Sequence, residues 1–194
     1  MSSGEADAIR PAGKADFARR VLAIAGIPGA GKTTLASALS EHYGYGILST
    51  GDVARSVDPL SLADGGLADE DLFRVAFRVA LDRQDWSKVV ILDGIPRNRG
   101  QIDLLPYFAK IVVLVCRPDV AKARLLARGR SDDTPELVER RVREQSILLD
   151  ADHADGWIYQ VVGWGSVVNT TRKRPEDVAA NMIDFLDGHK KQAF

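Results

Sequence analysis

Val21-Leu22-Ala23-Ile24-Ala25-Gly26-Ile27-Pro28-Gly29-Ala30-Gly31-Lys32-Thr33-Thr34 decides the fold. It opens with a short apolar run suited to a buried strand. Gly26 to Thr33 then matches G-x-x-x-x-G-K-[ST] in full, and a helical pattern follows. Glycines let the backbone wrap until its N–H groups point at one centre. The N-terminal end of the next helix adds positive character there. Such a loop cradles phosphates: Lys32 supplies a point charge to the outer ones, and the Thr33 hydroxyl is placed to hold Mg²⁺.

Outward from this loop, strand and helix patterns alternate. Thr33 to Tyr43 reads as a helix, with Leu35, Leu39 and Tyr43 on one face and Gly44 as its stop. Short apolar strands are expected at 47–49, 89–92, 111–116 and 167–168. Residues 51–68, punctuated by Gly, Pro and Asp, read as an irregular excursion. A helix is predicted over 72–81, with Leu72, Val75, Ala76 and Val79 forming its apolar stripe. Further helices are expected at 101–107, 120–128 and from Pro175, the last with Val178, Met182 and Leu186 on one face. Another runs from the Asp133-Thr134-Pro135-Glu136 start to about residue 153, where either Asp133 or Thr134 could cap. Alternation of this kind means parallel strands, because parallel pairing needs crossovers, with helices on both faces.

Composition removes several function classes. The 194 residues carry 26 Lys+Arg against 27 Asp+Glu, a formal net charge of -1. A near-neutral chain is a poor non-specific nucleic-acid binder. One cysteine, Cys116, leaves no internal disulfide and no Cys-rich zinc site. No apolar run approaches membrane-spanning length. Residues 1–18 lack periodicity and are expected to be a flexible tail, ahead of a single domain over 19–194. Trp86, Trp157 and Trp164 read as packing residues.

Each of the next three strands is followed by a polar, arginine-bearing segment. Ser49-Thr50-Gly51-Asp52-Val53-Ala54-Arg55 follows the second. Asp93-Gly94-Ile95-Pro96-Arg97-Asn98-Arg99-Gly100-Gln101 follows the third. Arg124, Arg128, Arg130, Asp132 and Asp133 follow the fourth, with Arg141 in the next helix. Ligands of an open parallel sheet bind at the carboxyl ends of its strands, so these arginines should face the phosphate loop. Asp93, ending the third strand, is placed to hold a Mg²⁺-bound water. No N/T-K-x-D guanine-reading motif is present, and Asp93 is followed by Gly94 rather than a water-activating Glu. Those two features favour transfer to a second substrate over hydrolysis.

Taken together, these segments resemble the adenylate kinase family of nucleoside monophosphate kinases. The resemblance covers about residues 21–187 and rests on Gly26 to Lys32, Ser49 to Arg55, Asp93 to Gln101, Arg130 to Asp133 and Arg141. It implies a three-layer α/β P-loop kinase fold with a parallel five-stranded sheet. It also implies an acceptor-binding segment at about 50–85 and a short lid at about 128–133. The implied reaction is Mg²⁺-dependent phosphoryl transfer from ATP to a nucleoside monophosphate, with AMP as the expected acceptor. On this resemblance Gly26, Pro28, Gly29, Ala30, Gly31, Lys32, Thr33 and Thr34 bind ATP, with Arg124 over its base and the 170–175 loop beside it. Arg55 and Arg97 grip the acceptor phosphate, helped by Gly51 and Gly94. Thr50 and Gln101 face the acceptor base. Lys32, Arg97, Arg124, Arg128, Arg130 and Arg141 act on the transferring group, with Asp132 and Asp133 holding the arginines. Thr33, and Asp93 through water, serve the metal.

The partners implied are small nucleotides, with neither nucleic acid nor membrane, for a cytoplasmic monomer. Ile95 stands where the family pattern has Phe. Asn98 appears in relatives acting on UMP and CMP, so pyrimidine and deoxynucleotide acceptors stay open. So do another small-metabolite kinase and a non-catalytic nucleotide-binding module.

Overall fold

The computed structural model describes residues 21–63, 68–106, 109–130, 133–148 and 165–186. Its sheet is built from β1 (Val21–Gly26), β2 (Gly46–Ser49), β3 (Val90–Asp93), β4 (Lys110–Val115) and β5 (Gly165–Asn169). The strands lie in the order β2-β3-β1-β4-β5, and every pairing is parallel. Parallel strands are covered on both faces, so alternate residues feed two cores. Val21, Ala23, Ala25, Val90, Leu92, Ile111 and Val113 enter one. Ile24, Ile91, Val112 and Leu114 enter the other. The three-layer α/β fold expected from the alternating pattern is therefore present.

Helices α1 (Lys32–Tyr43), α5 (Pro118–Arg128), α6 (Pro135–Leu148) and α7 (Pro175–Leu186) cover the Ile24 face. Between them, α2 (Thr50–Val57), the short α3 (Pro59–Ala63) and α4 (Glu70–Asp82) follow β2 in sequence. The Ala25 face is packed by Val53 and Ala54 of α2 and by Phe73 and Phe77 of α4. The β1 strand is central, and its last residue Gly26 has φ 129°. A Cβ there would fall 1.9 Å from the Leu114 carbonyl oxygen of β4, so only glycine lets the chain turn into the phosphate loop against its neighbour.

Several local expectations are corrected. The irregular excursion at 51–68 begins as helix α2, because the Ser49 hydroxyl accepts from Asp52 N at 3.2 Å and caps it. Val53 and Ala54 then bury against the sheet, so Gly51 sits within a helix rather than breaking one. The stripe of α4 is also turned. Leu72, Val75 and Val79 are exposed, whereas Phe73 and Phe77 are buried with rings 5.7 Å apart. Burying two aromatic rings removes more apolar area than burying Leu and Val, and it decides which face goes in.

The helix expected at 101–107 is a 3-10 helix at Arg99–Leu104. Thr134, not Asp133, caps α6: its hydroxyl accepts from Leu137 N at 3.3 Å, with Pro135 first in the helix. The tail at 1–18, Asp132, Trp157 and Trp164 lie outside the described residues, as do 149–153 of the expected helix. No helix among the described residues is long and apolar enough to cross a membrane.

Candidate active site

The carboxyl ends of β1, β2 and β3, with helices α5 and α6, enclose a cavity of about 800 Å³. Its walls include Gly26, Pro28, Gly29, Gly31, Lys32, Thr33 and Thr34 on one side. Gly51, Arg55, Gly94 and Arg97 stand on another, with Arg124, Arg128, Arg130 and Arg141 also lining it. The arginines expected to converge on the phosphate loop do so. Ala30, Thr50 and Gln101 sit behind the wall: Ala30 is in the core, and Thr50 and Gln101 are buried polar residues.

Within the phosphate loop, Lys32 Nζ donates to the carbonyls of Gly26 at 2.8 Å and Ile27 at 2.9 Å. Burial, followed by the charge of Arg97, pushes Lys32 down to about 8. Thr33 Oγ1 donates to Asp93 Oδ2 at 2.7 Å, so a hydroxyl and a carboxylate stand together at the loop mouth. These are hard oxygen donors of the kind Mg²⁺ takes alongside substrate phosphates and water. Among the described residues, no three-residue His/Cys/Asp/Glu cluster forms a protein-only metal cage.

Arg97 is fixed by Nε donating to the Gly94 carbonyl at 3.0 Å, and burial pushes its pKa down. Gly94 has φ 98°, and a Cβ there would meet Thr50 Oγ1 at 2.9 Å and Arg97 Nη2 at 3.3 Å. The glycine thus makes room for the guanidinium. Arg55 and Arg97 approach each other over Gly51, whose Cβ position is 3.5 Å from terminal nitrogens of both. Thr50 Oγ1 donates to the Asp93 carbonyl at 2.8 Å, locking the start of α2 to the end of β3.

Asp133 binds Arg128 with two bonds, 2.9 Å from Nε and 2.8 Å from Nη2, and lies 3.6 Å from Arg141 Nη1. Burial raises the Asp133 carboxyl, but the Arg128 hydrogen bond and charge outweigh it and hold the group below the usual carboxylate range. Arg124 ties three segments together. It donates to the Gly29 carbonyl, to Thr170 Oγ1 and O, and to the Lys173 carbonyl at 2.6 Å. The phosphate loop and the 170–173 turn are thereby joined beside the cavity.

The AAA-domain family model matches residues 25–139, more than half of the chain. The adenylate kinase of Bifidobacterium longum is 33% identical over 86% of this chain and 99% of its own length. That of a Synechococcus species is 35% identical over 79% and 96%, and that of Nocardia farcinica 34% over 73% and 90%. The chain belongs to the adenylate kinase family. It is an enzyme of the phosphotransferase class with the P-loop kinase fold of that family.

The family motifs account for the arginines but not for everything they touch. Asp52 lines the cavity and accepts a hydrogen bond from Arg55, which holds its carboxyl low. No role for Asp52 was legible, although its spacing of three from Arg55 on a helix was the available signal. Glu70 and Arg74, which reach the turn after β3 from α4, carried no signal at all.

Proposed function

We propose that the chain transfers the γ-phosphoryl group of ATP to AMP in a Mg²⁺-dependent reaction. One observation carries the reading: a single cavity joins a phosphate loop to a separate pair of arginines, Arg55 and Arg97, with Arg128, Arg130 and Arg141 also on its walls. Two polyanions laid end to end are the ligands such a charge distribution suits. The acceptor phosphate oxygen is already ionised near neutral pH and needs no general base. The obstacle is repulsion and alignment, and planar guanidinium forks meet both.

In this reading Lys32 leaves the Gly26 and Ile27 carbonyls for the outer ATP phosphates. Arg55 and Arg97 hold the acceptor phosphate in line. Arg128 and Arg141, steadied by Asp133, neutralise the migrating group, and Arg130 closes on it from the lid. Arg124 and the 170–175 turn border the ATP base. Thr33, and Asp93 through water, would hold Mg²⁺, which supplies charge neutralisation on the phosphates when bound.

Adenine as the acceptor base is supported by Gln101. Gln101 lies behind the cavity wall, and its Oε1 accepts from Arg97 N at 2.9 Å, so its amide N–H₂ is the group it would turn to a base bound beside it. A donor suits the N1 acceptor of adenine and opposes the N1–H of guanine. Asn98 Nδ2 is bound to Glu70, which weighs against Asn98 as a reader of pyrimidines. The near-neutral charge supports small nucleotides as partners, and a cytoplasmic monomer is the proposed form. A coupled assay over AMP, UMP, CMP, GMP and their deoxy forms tests the reading. ADP formation with AMP and ATP, well above the other acceptors, is expected. ATP binding with no acceptor-dependent turnover would mark a binding module instead.

A further inference from the structure

Helix α4 sends a carboxylate to the turn that carries Arg97 and Gln101. Glu70 is the first residue of α4, next to its N-cap Asp69. Its Oε2 accepts from Asn98 Nδ2 at 3.1 Å. Asn98 Oδ1 accepts from Gln101 N at 3.0 Å, and Gln101 Oε1 accepts from Arg97 N at 2.9 Å. A continuous relay therefore runs from α4 to the backbone of a cavity arginine. Arg74, one turn along α4, donates to the Gly100 carbonyl at 3.3 Å and stands 3.8 Å from Glu70 Oε1. Glu70 Oε1 is shut off from water without a hydrogen bond of its own, so Asn98 is the partner that fixes the carboxylate.

The geometry points to Glu70, acting with Asn98 and Arg74, as a positioning residue that sets acceptor affinity. It rests on the reading of Arg97 and Gln101 as acceptor ligands. None of the three lines the cavity. Through Asn98 and Gln101 the carboxylate fixes the turn bearing Arg97. The helix that carries the carboxylate also packs on α2, which bears Arg55. A carboxylate acceptor strengthens the bond to a neutral amide.

The polarity of the Glu70–Asn98 bond provides the test. Glu70→Ala is expected to raise the AMP KM about tenfold, the worth of one hydrogen bond to a charged group, with the ATP KM unchanged and kcat reduced less. Glu70→Gln keeps an acceptor for Asn98 and should retain most of the affinity. Asn98→Asp sets two carboxylates together, with a rise in AMP KM at least as large as that of Glu70→Ala. Adding Glu70→Gln to Asn98→Asp restores a donor between them and should recover most of that loss. A merely structural contact would move both substrates' KM values together, or track the melting temperature. That outcome, an unchanged AMP KM in Glu70→Ala, or a double variant no better than Asn98→Asp, would overturn the inference while the kinase reading stands. Absence of AMP-dependent ADP formation in the wild type would instead sink the kinase reading, and this inference with it.

Discussion

Thr33 Oγ1 and Asp93 Oδ2 are 2.7 Å apart, joining the first turn of α1 to the end of β3 across sixty residues of sequence. The hydroxyl donates and the carboxylate accepts, so the pair is held in place before any ligand arrives. Thr33→Val keeps the shape and removes the hydroxyl. The Mg²⁺ concentration for half-maximal rate should rise about 10–100-fold, the usual range for losing a group that orients a metal site. Asp93→Asn should act in the same direction. Rate against free Mg²⁺ at saturating nucleotide gives the answer, and unchanged curves for both variants would remove this pair from the metal site.

Lys32 supplies a pH dependence with a definite sign. Its folded value without nucleotide is about 8, lowered chiefly by burial and next by Arg97. A bound triphosphate favours the charged amine and raises that value. Between the two, binding takes up a proton, so affinity falls as pH rises above about 8 and is flat below it. The loss should approach tenfold per pH unit at most, since one proton is involved. Calorimetry of ATP binding at pH 7 and pH 9.5, in buffers of different ionisation heat, reads both the affinity and the proton. Lys32→Met should bind weakly with no such slope, and a wild-type affinity that stays flat to pH 9.5 would contradict the assignment.

The phosphate loop and the sheet were legible because their signals are local. An apolar run, glycines and a lysine sit within a dozen residues, and strand-helix alternation leaves only parallel pairing. The convergence of Arg55, Arg97, Arg124 and Arg128 followed from topology, since each comes after a strand. What escaped was set by competition or by distance. Gly51 and Asp52 have turn-like chemistry, yet the Ser49 cap and the burial of Val53 make the segment helical. Leu72, Val75 and Val79 have helical spacing, yet Phe73 and Phe77 take the core. Glu70 and Asn98 are 28 positions apart, and nothing in the spacing of either marks the other.

Asp133 holds Arg128 and Arg141 while its own side chain is fully buried. Asp133→Asn removes the charge and one acceptor. Arg128 is 38% exposed, so solvent screens part of the pair, and the loss of stability should be about 1–2 kcal/mol. The Asp133 carboxyl lies below its unfolded value of about 3.9. Its contribution is therefore complete above that value and is lost as pH falls through the lower, folded one. The stability gap between wild type and variant should stay constant from pH 5 to 8 and close only in acid. Turnover should fall further than ATP affinity, because an unsteadied Arg128 misses the transition state more than the ground state. Urea denaturation at several pH values and steady-state kinetics check the two halves separately.

Little chain separates α5 from α6 beside the cavity, and on the proposed reading this short stretch is the lid. Helix α5 stops at Gly129, left-handed at φ 66°, and α6 begins at Pro135, so few residues are available to cover the cavity. Thr33 and Arg128 are exposed at its mouth. Water excluded poorly from a site that neutralises a γ-phosphate can act as acceptor. Slow ATP hydrolysis without AMP is therefore expected, well below the rate of transfer. Arg97→Ala separates the two reactions, because on the proposed reading Arg97 serves the acceptor phosphate and not water. That variant should lose AMP-dependent ADP formation by about 10³-fold, in line with arginines that meet a phosphoryl group, while keeping most of the hydrolysis. Phosphate release measured with and without AMP decides it: no detectable hydrolysis beside brisk transfer would show that the cavity closes more completely than its short lid suggests.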